Sequence, residues 1–201
     1  MQALIDRARK FPQQVAATAD RYAALTHGQQ PAALFVTCSD SRVIPALFTG
    51  AQPGELFELR TAGNVVPPFH PESTCAVAAT LQYAVEVLDV SDVVVCGHTH
   101  CGAVRALIES TPLDGLPLVQ RWLAAARRPG NPPRGRRLTA SAKLEHEVQE
   151  HLRIQLDHLS TYPFVRQRLH TGRLRLHGWV YAIDTGAVTT YQAETGRFVA
   201  L

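Results

Sequence analysis

Short apolar runs alternate with longer segments of helical periodicity along most of the chain. Three runs, at residues 33–37, 56–59 and 93–96, are bounded by turn residues. Runs of this length and apolar content are typical of strands buried on both faces of a parallel sheet. The segment 72–88, between the second and third runs, has helical composition and contains neither glycine nor proline. It is long enough to form a crossover helix between parallel strands.

The two ends of the chain predict different elements. From Leu4 to Leu25 apolar residues recur every three or four positions, which predicts an amphipathic helix that Pro12 divides into two pieces. Near the other end, the runs 174–183 and 188–192 flank an Asp-Thr-Gly turn and predict a hairpin. Two further helical patterns cover 116–127 and 139–159. These elements predict an α/β protein whose mostly parallel central sheet has an antiparallel edge strand and is flanked by helices.

Composition narrows the class of protein without identifying it. A chain of 201 residues, 46% hydrophobic, is long enough for one well-buried core, so residues 1–201 are predicted to form a single domain. The net charge of only +3 gives no reason to expect nucleic acid as a partner. The arginine-rich stretch 127–137 lacks the aromatic residues that stack on bases and is predicted to be a solvated surface loop. No apolar run approaches the roughly 18 residues of a membrane span, and no continuous apolar stretch marks a secretory signal, so we expect a cytoplasmic protein.

Two short polar segments follow predicted strands. Cys-Ser-Asp-Ser-Arg at 38–42 follows the first strand, and Gly-His-Thr-His-Cys-Gly at 97–102 follows the third. Loops that leave the carboxyl ends of parallel strands line a common crevice, so both segments should face it. Zinc binds thiolate and imidazole, and a catalytic zinc site has three protein ligands and one open position. Cys38, His98 and Cys101 provide such a set, and reducing conditions in the cytoplasm favour metal binding over disulfides.

Other interpretations of these residues are weaker. A structural zinc site usually has two close ligand pairs, but Cys38 has no cysteine or histidine within four residues. A cysteine phosphatase would use Cys38 as nucleophile and Arg42 as phosphate clamp, yet that loop needs five intervening residues and only three are present. His100 is too close in sequence to His98 and Cys101 to share their ion easily, and a role in substrate contact or proton transfer remains open for it. The remaining candidates are predicted to have no role in the site: Cys75 and Cys96 as small packed residues, and His146, His151 and His158 as surface residues.

At these segments the chain resembles the β-class carbonic anhydrases. Five motifs occur in that family's order and approximate spacing, and the resemblance covers roughly residues 29–184. The motifs are Cys-Ser-Asp-Ser-Arg (38–42), Pro-Gly-Glu-Leu-Phe (53–57), Arg-Thr-Ala-Gly-Asn-Val-Val-Pro (60–67), Gly-His-Thr-His-Cys-Gly (97–102) and His-Gly-Trp-Val-Tyr (177–181).

The resemblance implies an enzyme, a zinc lyase that converts carbon dioxide reversibly to bicarbonate by attack of zinc-bound hydroxide. It implies that Cys38, His98 and Cys101 hold Zn²⁺ and that Asp40 and Arg42 are the catalytic pair. Gln29, across a subunit interface, and Gly102 are the expected substrate contacts. Hydrolysis of carbon disulfide or carbonyl sulfide on the same zinc site is the alternative activity. A homodimer or a dimer of dimers is expected, with residues 1–26 as a helical arm that packs on the partner subunit.

The resemblance also bears on regulation. Family members with a second, inhibitory bicarbonate site have a tryptophan three residues before the first zinc cysteine, together with an arginine and a tyrosine that match Arg60 and Tyr181. Phe35 occupies the tryptophan position here. Phenylalanine has no N–H to donate to an anion, so we expect no inhibitory bicarbonate site.

Overall fold

The computed structural model describes residues 1–109, 113, 115–127 and 141–201. Two compact units, residues 1–30 and 31–201, can be distinguished and are described separately. Most of the arginine-rich stretch predicted as a surface loop lies outside the described residues.

The first unit consists of two helices, α1 (Gln2–Ala16) and α2 (Ala19–Leu25). The prediction that Pro12 divides this segment is wrong, because Pro12 lies inside α1 and the break comes at Thr18, whose φ of −136° is not helical. Proline removes one main-chain hydrogen bond but its fixed φ is close to the helical value, so neighbouring turns can continue through it. An edge-to-face contact between Phe11 and Tyr22, with ring centroids 6.2 Å apart, joins the two helices.

The second unit is built on a six-stranded sheet with the order β2-β1-β3-β4-β5-β6. β1 to β4 are mutually parallel, β5 is antiparallel to β4, and β6 is antiparallel to β5. This arrangement confirms the predicted α/β class and the hairpin. All residues of β1 and all but the first of β3 are buried, as expected for central parallel strands. The strands are β1 (Ala33–Cys38), β2 (Leu56–Thr61), β3 (Asp92–His98), β4 (Arg175–Tyr181), β5 (Val188–Gln192) and β6 (Arg197–Ala200).

Helices flank this sheet. The predicted crossover helix is shorter than expected and ends in one π-helical turn over Tyr83–Val87. None of the described helices is long and apolar enough to cross a membrane. The helices are α3 (Pro45–Thr49), α4 (Ala76–Gln82), α5 (Gly102–Glu109), α6 (Pro117–Ala124), α7 (Ser141–Leu159) and α8 (Pro163–His170).

Two glycines of the sheet lie beneath helix α7. A Cβ at Gly178 of β4 would be 2.5 Å from Leu152 Cδ2 and 3.0 Å from Leu156 Cδ1, and one at Gly97 of β3 would be 3.1 Å from Val148 Cγ1. Contacts under 3.0 Å are repulsive, so a side chain at position 178 would force neighbouring atoms to move. The absence of a side chain at these two positions therefore leaves room for the valine and leucine side chains of α7.

Candidate metal centre

Cys38, His98 and Cys101 come together where two neighbouring strands end. Cys38 is the last residue of β1 and His98 the last of β3, while Cys101 lies just before α5. Because β1 and β3 pair in parallel, their carboxyl ends meet at the same edge of the sheet. The three potential ligand atoms lie within 4.8 Å of one another and all three residues are buried. Among the described residues this is the only such group of three.

His98 presents an unpaired nitrogen to this cluster. Its Nδ1 lies 2.8 Å from the carbonyl oxygen of Thr99. Because a carbonyl can only accept, Nδ1 carries the proton and Nε2 has a free lone pair. Nε2 is buried and has no hydrogen-bond partner within the described part of the chain. A metal cation bound at Nε2 would remove the cost of this unpaired group, about 1–3 kcal/mol.

The two thiols also fit a cation. Hydrogen bonding from Cys101 is the largest cause that lowers the pKa of the Cys38 thiol, against burial, and the backbone N–H of Gly63 assists at 3.3 Å from Sγ. The neighbouring Cys38 and then burial raise the pKa of the Cys101 thiol. Two adjacent buried thiolates repel each other, so both can be ionised together only with a positive charge between them. Thiolates and imidazole are the donors that zinc prefers.

A carboxylate held by an arginine stands beside the cluster. Arg42 donates from Nε to Asp40 Oδ1 at 2.9 Å and from Nη2 to Oδ2 at 2.7 Å, and its backbone N–H donates to Oδ1 at 3.0 Å. The Arg42 side-chain hydrogen bonds are the main cause that holds the pKa of Asp40 well below its usual range. Asp40 Oδ2 lies 3.9 Å from His98 Nε2. The carboxylate is therefore ionised and fixed next to the cluster.

Arg60 supports the same loop, a role that sequence reasoning missed. Its Nη2 donates to the carbonyl oxygens of Cys38, Asp40 and Val43 at 3.0, 3.0 and 2.6 Å. Nη2 has two N–H groups, so one of them is shared between two of these three carbonyl oxygens. Arg60 thus links the end of β2 to the loop that carries Cys38 and Asp40.

The aromatic residues around Phe35 leave that position fully packed. Phe35 makes edge contacts with Phe48 and Trp179, at 6.1 and 5.8 Å between ring centroids, and Phe48 stacks on Tyr181 at 4.6 Å. For the carbon dioxide hydration that the resemblance to the β-class carbonic anhydrases implies, we predict that added bicarbonate causes no inhibition beyond ordinary product inhibition, as measured by hydration rates at constant pH and ionic strength. Steep inhibition of the wild type at low bicarbonate would contradict this prediction.

The segment at residues 62–69 begins with a short 3₁₀ turn over Ala62–Asn64, contacts the cluster through the Gly63 N–H, and is held by side chains. Most of these side chains come from α7 and the turn that follows it, at positions 151, 155, 158, 161 and 162, and the first three lie on one helix face. Each bond satisfies a backbone group that has no strand partner, and loss of a partner would cost about 1–3 kcal/mol. The bonds are Trp122 Nε1 to Ala62 O at 2.8 Å, His151 Nε2 to Gly63 O at 2.7 Å, Val66 N to Gln155 Oε1 at 2.9 Å, His158 Nδ1 to Val66 O at 2.7 Å, Phe69 N to Thr161 Oγ1 at 2.8 Å and Tyr162 Oη to Pro67 O at 2.9 Å.

The prediction that His151 and His158 are surface residues is wrong. Their side chains are buried on the inner face of α7, whereas His146 is exposed as predicted. One signal in the sequence was available. Gln155 and His158 follow His151 by four and seven residues, and apolar Leu152 and Leu159 stand beside them, which indicates a buried polar face.

Burial of His151 predicts a pH-dependent stability. Desolvation lowers the pKa of His151 from 6.5 to about 4; the hydrogen bond to Gly63 opposes this shift, His158 adds a smaller lowering and Cys38 a smaller raising contribution. As pH falls below about 6.5 the unfolded chain binds this proton first, so stability is lost progressively until about pH 4, by about 3 kcal/mol. His151→Gln, which cannot be protonated, should lose less over that interval. Urea unfolding of both proteins at several pH values checks this, and a constant difference between them would contradict it.

The remaining site candidates are less informative. Gly102 begins α5, is exposed, and would have open space around a Cβ. Gln29 belongs to the first unit and is exposed, so its contact with substrate stays a prediction. His100 is exposed, and its carbonyl accepts from Arg42 Nη2 at 3.3 Å. Cys75 and Cys96 lie outside the three-residue cluster.

Comparison with known proteins places this geometry in a family. The family model described as Carbonic anhydrase matches residues 33–188. The carbonic anhydrase of Pseudomonas aeruginosa is 44% identical over 182 residues, covering 90% of this chain and 82% of that protein. That of Synechocystis is 40% identical over 204 residues, covering 100% of this chain and 74% of the relative.

Solved structures agree. The β-carbonic anhydrase CcaA superimposes with a TM-score of 0.90 at 39% identity, over 100% of this chain and 99% of that one. A Coccomyxa β-carbonic anhydrase in complex with acetazolamide superimposes with a TM-score of 0.77 at 29% identity, over 94% and 84% of the two chains. The chain belongs to the β-class carbonic anhydrases.

Proposed function

We propose that this protein catalyses the reversible hydration of carbon dioxide to bicarbonate on a zinc ion held by Cys38, His98 and Cys101. The observation that carries the proposal is the buried Cys₂His cluster with an unpaired His98 Nε2, beside a carboxylate that an arginine keeps ionised. When bound, zinc supplies a Lewis acid that lowers the pKa of a water molecule so that a hydroxide nucleophile exists near neutral pH.

The three ligands determine the charge of the site. Cys38 and Cys101 would bind as thiolates, and His98 as a neutral imidazole through Nε2. Two thiolates offset the charge of a divalent cation, so water should be acidified less strongly than by three neutral histidines. Thr99 fixes the His98 ring through Nδ1, which directs Nε2 to the other ligands.

Asp40 orients the nucleophile. Because its pKa is held well below neutral, Asp40 can only accept a hydrogen bond, so an O–H beside it must donate to it and direct a lone pair elsewhere. The fork of Arg42 holds both carboxylate oxygens and prevents the carboxylate from rotating. The pair thereby selects one orientation of the attacking oxygen toward carbon dioxide.

The proposal is tested by metal analysis together with a stopped-flow hydration assay. We expect about one zinc per chain and a rate that rises between about pH 7 and 9 as the nucleophile ionises. Because Asp40 is ionised throughout this range, its titration should not change the hydration rate between these pH values. A metal-free preparation with full activity would refute the mechanism, and turnover of carbonyl sulfide in place of carbon dioxide would redirect it to the sulfur substrates.

The assembly is part of the same proposal. We expect a homodimer or dimer of dimers in which residues 1–26 pack on a partner subunit, in the cytoplasm. Light scattering of the full chain and of a variant that lacks residues 1–26 tests the assembly, and an unchanged number of subunits per particle would argue against an arm of this kind.

A further inference from the structure

Two side chains from outside the metal cluster hold the peptide groups on either side of Gly63. Trp122 of α6 donates from Nε1 to the carbonyl oxygen of Ala62 at 2.8 Å. His151 of α7 donates from Nε2 to the carbonyl oxygen of Gly63 at 2.7 Å. Between these two contacts, the backbone N–H of Gly63 donates to Cys38 Sγ at 3.3 Å.

The Trp122 contact acts on the same peptide group that reaches the sulfur. The carbonyl of Ala62 and the N–H of Gly63 belong to one planar unit, so the indole and Cys38 Sγ hydrogen-bond to its opposite ends. Hydrogen bonds in such a chain polarise one another, by roughly 10–30% per bond. The indole therefore makes the Gly63 N–H a stronger donor to the thiolate.

The backbone at Gly63 depends on support from its surroundings. Its φ of +77° lies in the left-handed region, and a Cβ there would be 2.9 Å from Ala103 Cβ. Glycine avoids both the strain and the clash, but it is also the residue with the most conformational freedom. The contacts at the two neighbouring carbonyls add to the hydrogen bond from Thr61 Oγ1 to Val65 O, which spans the same turn, and together they hold the Gly63 N–H on the sulfur.

We propose that Trp122 and His151 are positioning residues for the metal centre: they clamp the two peptides around Gly63 and so direct its N–H at Cys38. The inference rests on the proposed function, because it assigns the clamp to a metal-bound sulfur. The clamp holds a main-chain donor on this ligand, whose negative charge the N–H disperses. Outer partners of metal ligands of this kind tune the metal and stabilise its binding.

The test uses the full-length protein loaded with a spin-half cadmium isotope in place of zinc. An N–H that donates to a cadmium-bound thiolate shows a scalar coupling between its proton and the metal, and a downfield proton shift. In the wild type we expect both at the Gly63 amide. In Trp122→Phe, which keeps a ring but loses the donor, the coupling should decrease and the proton should move upfield. Zinc should also dissociate about 10-fold faster.

Two further sets of variants separate positioning from general packing. Trp179→Phe makes the same chemical change in β4, where the indole packs on Phe35, and should leave the Gly63 amide unchanged. His151→Leu removes the other donor and should reduce the coupling, whereas His151→Gln retains an N–H and should restore part of it. A packing defect alone would not follow this order of donors.

The outcomes distinguish the two proposals. A wild-type cadmium resonance typical of thiolate ligation, with a Gly63 amide that does not respond to Trp122→Phe or His151→Leu, would overturn the clamp and leave the proposed function standing. A wild-type protein that takes up neither cadmium nor zinc would overturn the proposed function, and the clamp with it.

Discussion

Cys101→Ser should leave the protein without bound zinc and lower carbon dioxide hydration by at least about 10³-fold, because the metal that generates the nucleophile is lost. A serine hydroxyl is neutral at neutral pH and a much poorer ligand for zinc than a thiolate. Cys38 and His98 alone offer two ligands, too few for a stable catalytic site. Zinc content by elemental analysis and stopped-flow rates on the same sample measure both effects.

Cys75→Ser is the matched control. Cys75 is half-buried just before α4 and lies outside the cluster, so the same replacement there should leave zinc content and rate unchanged. Full zinc content in Cys101→Ser would remove Cys101 from the ligand set. Equal losses in both variants would show that cysteine replacement damages the fold and not the metal site.

Arg42→Ala should lower turnover by about 10²-fold or more while zinc remains bound, because misplacement of a catalytic group by even about 1 Å has an effect of this size. Without the fork, the Asp40 carboxylate is free to rotate and its pKa returns toward the usual range. Oδ2 already lies 3.9 Å from His98 Nε2, so a small rotation would let Asp40 become a fourth ligand in place of water. A crystal structure of the variant should show this four-residue shell.

Arg42→Lys separates charge from geometry. Lysine keeps a positive charge but cannot hold both carboxylate oxygens in one plane, so we expect a rate between those of the wild type and Arg42→Ala. Arg42 is about half exposed, so its loss should change stability little. An unchanged rate in Arg42→Ala would remove the pair from the mechanism.

The cluster was predictable from sequence because its residues follow strands. Cys38 and His98 each end an apolar run, and parallel pairing of those runs necessarily brings their ends to one edge of the sheet. The roles of Arg60, Trp122 and His151 were not predictable in this way. Each contacts backbone groups, which any sequence possesses, so no motif identifies the partner before the fold is known.

Short length and local geometry explain the differences between the predicted and the observed secondary structure. The sequence analysis did not predict β6. This strand has only four residues and is the outermost of the sheet, so its short apolar pattern gave little signal. The break between α1 and α2 depends on local geometry at Thr18, which propensity does not specify, whereas Pro12 is accommodated within α1.

Gly178, beneath α7, affects the support of the metal centre although it lies outside the cluster. His151 reaches Gly63 from α7, the helix whose leucine side chains pack directly over Gly178. One methyl group added there would press on the side-chain ends of Leu152 and Leu156, in the same helix as His151. A variant with this change would keep every candidate ligand and still disturb the packing of the helix that carries His151. For the same reason, substitutions in the sheet beneath α7 are a way to alter the surroundings of the metal centre while its ligands stay unchanged.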